Sequence, residues 1–138
     1  MSYQNTDADT LAKLNRECTP VWLMVPSFTT AGNTRYLGIG VENATELNVV
    51  FRVPFACTLT RLVARSTAAP GGGQSFTLTV RKNQADTTMT GTISGTDQDV
   101  IVTTNQQALA ENDLLAFKVV GSAGSAASGF QLMAALQQ

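Results

Sequence analysis

The sequence contains no histidine. That absence removes Ser-His-Asp and Cys-His catalysis, imidazole general bases and histidine metal sites together. Charge is scarce too: Asp, Glu, Lys and Arg make up 14% of the 138 residues, against about 25% in ordinary domains. Nine basic and ten acidic side chains leave a formal net charge of -1. With no basic excess to neutralise phosphates, a nucleic-acid binder is not expected, and attraction to an anionic membrane surface fails on the same ground. No apolar run approaches the ~20 residues that span a bilayer. The polar opening MSYQNTDADTLAKLNRE reads as neither signal nor transit peptide, so synthesis in the cytoplasm is expected. There are two cysteines, Cys18 and Cys57, and a reducing compartment favours two free thiols over a bridge. A zinc site would have to draw on these distant cysteines and carboxylates, short of the usual four-ligand set. Neither a Walker loop nor GxGxxG is present; PGGGQS satisfies neither spacing and precedes a strand, not a helix.

What is present favours strands. Hydrophobic residues are 43% of the chain, enough to build the core of one domain of this length. Thr and Val fit a pleated, half-buried surface. Residues 75–81 alternate strictly, with Phe76, Leu78 and Val80 on one face and Ser75, Thr77, Thr79 and Arg81 on the other, the pattern of a half-buried antiparallel strand. TTMTGTIS repeats it, with Met89 and Ile93 inward around Gly91 and Thr88, Thr90 and Thr92 outward. Leu115, Phe117 and Val119 share a face, as do Phe130, Leu132, Ala134 and Leu136. Further strands are expected at 21–27, 35–41, 47–53, 55–67 and 99–104. A phase change between Leu59 and Leu62 predicts a bulge near Arg61. Loops are expected at 29–34, 68–73 and 121–129. Leu11 and Leu14, acids early and bases late predict a short helix over 7–16, stopped by Pro20. The pattern gives an all-β chain: an antiparallel β-sandwich of jelly-roll type over 21–138, preceded by a short N-terminal arm or helix over 1–20.

No residue set able to run a reaction emerges, and no cofactor or metal is expected. Asp97 and Asp99 share the spacing that could present two carboxylates to a hard cation, but a solvated turn is the preferred reading. Glu111 and Asp113 are read as turn residues before a strand. The Asn43-Ala44-Thr45 sequon is read as a chance match. Trp22 is read as core, and Tyr36 and Tyr3 as candidate stacking platforms. The Thr-rich outer faces, poor in charge, suit either solvent or packing against another subunit.

Residues 76–83 (FTLTVRKN), 86–90 (DTTMT) and 92–95 (TISG) resemble β-sandwich modules of phage virion and fibre proteins. Asn112-Asp113-Leu114-Leu115 stands where those modules carry Gly-Asp-X-Leu, and Gln84 replaces the glycine common after Asn83, which weakens the case for a tight hairpin there. In size and character the whole chain resembles the small jelly-roll cement, or decoration, proteins of tailed phage capsids. The resemblance implies a virion structural protein on the capsid surface, made in the host cytoplasm. It would bind the outside of the major capsid protein shell as a homodimer or homotrimer, without nucleic acid or membrane. The alternative is a receptor-binding or carbohydrate-binding module of a tail or fibre. Within the arm, Tyr3, Leu11, Leu14 and Arg16 are the residues expected to touch a partner, because terminal arms reach neighbouring subunits readily.

Overall fold

The computed structural model describes residues 19–28, by their backbone, and residues 32–137. Among them are eleven strands and a single 3-10 turn, Glu46–Asn48. In chain order the strands are β1 (Thr19–Phe28), β2 (Thr34–Leu37), β3 (Glu42–Asn43), β4 (Phe51–Arg52), β5 (Cys57–Ser66), β6 (Gly71–Lys82), β7 (Ala85–Gly95), β8 (Asp99–Val102), β9 (Gln107–Leu109), β10 (Leu114–Gly121) and β11 (Ser128–Gln137). Every pairing is antiparallel. The first sheet runs β1-β11-β5-β8, with β9 also on β5. The second runs β3-β2-β10-β6-β7, with β4 also on β10. Two antiparallel sheets closing over one apolar interior make the chain an all-β sandwich.

The alternation read from the sequence decides which side chains enter that interior. Phe76, Leu78 and Val80 of β6, Met89 and Ile93 of β7, and Leu115, Phe117 and Val119 of β10 are all buried. Phe130, Leu132, Ala134 and Leu136 of β11 close the core from the other sheet. Phe76 and Phe130 meet edge to face across the sandwich, ring centroids 5.2 Å apart, the geometry aromatic quadrupoles prefer. Gly91 stands at an inward position of β7 where β8 of the other sheet comes closest. A Cβ there would lie 2.5 Å from Val102 Cγ2 and 2.9 Å from Val100 Cγ2. The glycine therefore lets the two sheets meet along that side.

The bulge expected near Arg61 is present. Arg61 pairs with Ala135 and Leu59 with Leu136, so Thr60 is the extra residue, and the burial of β5 shifts phase across it. The hairpin between β6 and β7 is tight despite Gln84. Lys82 pairs with Ala85, and both turn residues take left-handed backbone, Asn83 at φ 51° and Gln84 at φ 66°, as a two-residue hairpin of the favoured twist requires.

Four expectations change. RYLGIGV forms a strand only over Thr34–Leu37, and Ile39 and Val41, which alternation would bury beside Leu37, lie in an exposed loop. Residues 47–53 fold as part of a 3-10 turn followed by the two-residue strand β4. The glycine run 71–73 opens β6 instead of forming a loop, with a register irregularity between Gly71 and Ser75. A short strand, β9, arises over Gln107–Leu109, where no strand is expected from the sequence. The helix expected over 7–16, Cys18, residues 29–31 of the expected turn and the side chain of Trp22 lie outside the described residues. Cys57 is a buried free thiol, and burial pushes its pKa up.

Candidate interaction surface

Between β2 and β4 the chain makes an excursion at the edge of the second sheet, residues 38–50, which adds only the two-residue edge strand β3 to β2 and then returns to pair beside the start of β10, where Leu114 and Leu115 meet Arg52 and Phe51. This excursion carries much of the molecule's misplaced greasiness. Of the five large hydrophobic residues that are exposed among the described residues, three lie on it: Ile39 at 75%, Leu47 at 53% and Val41 at 48%. Scattered exposed apolar residues are ordinary. Three within one short loop are a better mark of a surface that meets something.

The loop is held in place by its own residues. Gly38 N–H donates to Val41 O at 2.8 Å, closing a tight turn around Gly40, whose φ is 69°. Gly38 also lies against Val49, to which a Cβ would come within 2.9 Å, so the start and end of the excursion pack together. Asn43 is a local brace. Its Oδ1 accepts from Thr45 N–H at 2.8 Å and from Asn48 Nδ2 at 3.2 Å, an Asx turn built on the first residue of the sequon.

The excursion is tied to the outer face of the second sheet by a charged network. Glu46 is almost fully buried, and its Oε1 accepts from Arg81 Nε at 2.9 Å. Arg81 also donates to Asp86 and to the Gln84 carbonyl, and Lys118 donates to Asp86. Strand register explains the assembly. Tyr36, Lys118, Thr79 and Thr90 form one row across β2, β10, β6 and β7, and Ala116, Arg81 and Asp86 form the next. The Arg81 guanidinium lies 5.6 Å from the Tyr36 ring centroid, within cation–π range. The hydrogen bond from Lys118, then that from Arg81, holds the Asp86 carboxyl below the usual range against the opposing effect of desolvation. The hydrogen bond to Glu46 chiefly raises the pKa of Arg81. Two acids and two bases thus neutralise one another beneath the loop and leave no net charge to attract a ligand ion.

The acids singled out in the sequence do not converge. Asp97 closes a turn, with its N–H on Ser94 O at 3.1 Å. Asp99 pairs with Arg65 at 3.2 Å on the other sheet. Glu111 is exposed, while Asp113 organises the turn before β10. Its Oδ1 accepts from Asn83 Nδ2 and its Oδ2 from Ala110 N–H, each at 2.8 Å. The hydrogen bond from Asn83, then that from Ala110, lowers its pKa. No group of three potential metal ligands occurs among the described residues. Tyr36 is half-buried and engaged by Arg81. Thr88, Thr90 and Thr92 face outward as expected, but Thr79 in the same row is covered and shares a hydroxyl contact with Thr90 at 3.3 Å. Tyr3, Leu11, Leu14 and Arg16 lie outside the described residues.

The connections 67–70 and 122–127, with the strand ends beside them, meet at the end of the sandwich opposite the excursion. Ser75 N–H donates to Ser122 Oγ at 2.9 Å and Ala126 N–H to Pro70 O at 3.1 Å. They brace one another there. Sequence comparison finds no match to any family model or to any curated protein. Among the described residues, Ile39, Val41 and Leu47 of the excursion stand exposed beside the paired charges of Glu46, Arg81, Asp86 and Lys118.

Proposed function

We propose that this chain is a virion structural protein, a capsid cement or decoration protein of the jelly-roll kind that binds the outside of a major capsid protein shell. The observation that carries the reading is the braced excursion 38–50, with Ile39, Val41 and Leu47 turned to solvent on a domain of very low charge. A protein repeated over a shell gains avidity from many modest contacts. A pre-organised apolar loop makes each contact cheaper in ordering entropy. The resemblance of residues 76–95 to virion sandwich modules points the same way.

The test is to mix the purified chain with bare phage heads and image them by cryo-electron microscopy. Ordered density on the outer shell is the expected result, reduced at least tenfold in occupancy at equal concentration by Ile39→Ser with Leu47→Ser. A chain that leaves the heads bare at saturating concentration ends the proposal. Saturable binding to a glycan array in its place would transfer the chain to the receptor-binding class.

A further inference from the structure

The first sheet turns a different surface outward. On its outer side, β8, β5 and β11 lay down two adjacent rows. One is Asp99, Arg65 and Gln131; the other is Ile101, Val63 and Met133. Ile101 is 57% exposed, and Val63 and Met133 are half-buried. Beside Ile101 lies a shallow depression of about 220 Å³ lined by Val63, Arg65, Asp99, Gln131, Leu132 and Met133. Arg65 and Asp99 bond each other at 3.2 and 3.3 Å, with side chains 55% and 58% exposed. A base and an acid stand side by side on neighbouring strands, next to an apolar knob and an apolar hollow.

That pattern is complementary to itself. We infer that this face pairs with the same face of a second copy of the chain, about a two-fold axis running along the strands between β5 and β8. Such an axis keeps each row opposite its own counterpart and exchanges β5 with β8. Arg65 then faces Asp99 of the second copy, and Asp99 faces its Arg65. In the next row Ile101 of each copy meets Val63 of the other and enters the hollow beside it. A two-fold interface needs one patch to satisfy both sides at once, and an adjacent acid and base with a knob beside a hollow do so. Charge sets the register and apolar contact supplies affinity, the usual division of work at an interface. The resemblance implies a homodimer or a homotrimer without a surface; this inference selects the dimer and names its face, and because the capsid-binding reading uses the excursion on the other sheet, either can fail alone.

The experiment is sedimentation equilibrium on the full chain across micromolar to millimolar concentration. A monomer–dimer equilibrium is expected, weakened at least tenfold by Ile101→Glu, since a charge replaces a central apolar contact. Two further chains test the axis. Arg65→Asp leaves two acids together, and Asp99→Arg leaves two bases together, so neither should self-associate. Mixed in equal amounts they should form a one-to-one heterodimer. Rescue on mixing cannot come from the pair within one chain, because neither variant has it. A wild-type chain that stays monomeric at millimolar concentration overturns the inference. So does a dimer indifferent to all three substitutions, or two charge variants that stay apart when mixed. A chain that decorates heads yet never pairs defeats this inference alone; one that pairs and ignores heads defeats only the capsid reading.

Discussion

Two arginines on strands consecutive in the chain but in opposite sheets do opposite jobs with the same chemistry. Arg81 of β6 and Arg65 of β5 each contact a carboxylate from another part of the chain. Around Arg81 the excursion closes over the pair, leaving the arginine and Glu46 side chains 14% and 9% exposed. Around Arg65 nothing closes, and the pair stays 55% and 58% exposed. An ion pair removed from water commits its partners, because losing one leaves an uncompensated buried charge. An ion pair left in water commits neither and contributes little to stability. The second sheet uses its buried pair internally, to fasten a loop, while the first leaves its pair open to solvent and to whatever approaches.

Both outer faces rest on one core shared by the two sheets, so the most damaging substitution is one that removes part of it. Phe76 on β6 packs against Phe130 on β11, each about 1% exposed or less. Phe76→Ala deletes that contact and leaves a cavity, and should cost about 4 kcal/mol. Chemical denaturation followed by tryptophan fluorescence measures it. A loss under about 1 kcal/mol would mean that the two sheets do not share the core described.

Next in size is the buried arginine. Arg81→Ala strands Glu46 beneath the excursion and should destabilise the fold by about 3 kcal/mol. Removing both charges, Arg81→Ala with Glu46→Gln, should cost less than the single change, because no bare carboxylate remains buried. Acid reports on the same network. The folded-state pKa of Asp86 lies below its usual value, so its contribution is fully present above the unfolded value of about 3.9. It fades as pH falls through the lower folded value. Asp113 behaves alike, for its own hydrogen-bonding reason. Urea midpoints measured from pH 6 down to pH 2 should therefore fall. The fall should be shallower in Asp86→Asn, with the remaining slope carried partly by Asp113. An unchanged slope would remove Asp86 from the network.

How far these features were legible in the sequence follows from the range of the forces involved. Strand faces were legible, because alternation is local: Phe76, Leu78 and Val80 enter the core as their spacing demands. The bulge was legible for the same reason, since Leu59 and Leu62 cannot share a face without an extra residue. The fate of Ile39 and Val41 was not. Their spacing continues the phase of Leu37, but the turn at Gly40 reverses the chain into β3 and leaves both exposed at the bend. The role of Glu46 was not legible either, since nothing near it in sequence announces Arg81. Their meeting is set by how β2 and β4 both dock on β10. Arg81-Lys82, the lone adjacent basic pair, carried a hidden hint. Neighbours on a strand point apart, so Arg81 joins the network on the outer face while Lys82 reaches the Ala108 carbonyl and Asp113.

The hairpin beneath the network offers a gain instead of a loss. Gln84 sits at φ 66°, a conformation that costs a residue with a Cβ about 1 kcal/mol relative to glycine. Arg81 contacts the backbone carbonyl of Gln84, not its side chain, so Gln84→Gly keeps the tie and relieves the turn. A rise in stability of about 0.5–1 kcal/mol is expected. A fall would show that the Gln84 side chain holds the hairpin in some way its exposed position does not betray.

The smallest effect belongs to Arg65, and its smallness is what gives it meaning. Arg65→Ala removes an exposed pair with Asp99, which in double-mutant cycles on other proteins is worth about 0.2–1 kcal/mol. Measured well below the concentration at which copies pair, the substitution should change stability by no more than about 0.5 kcal/mol. Raised salt should shrink even that, since exposed charges are screened. Arg81→Ala should keep most of its cost in the same salt, because its pair is shielded from solvent ions. Should Arg65→Ala cost as much as Arg81→Ala at low concentration, burial would not be what separates the two arginines. The division between a fastened face and an open one would then have no energetic basis.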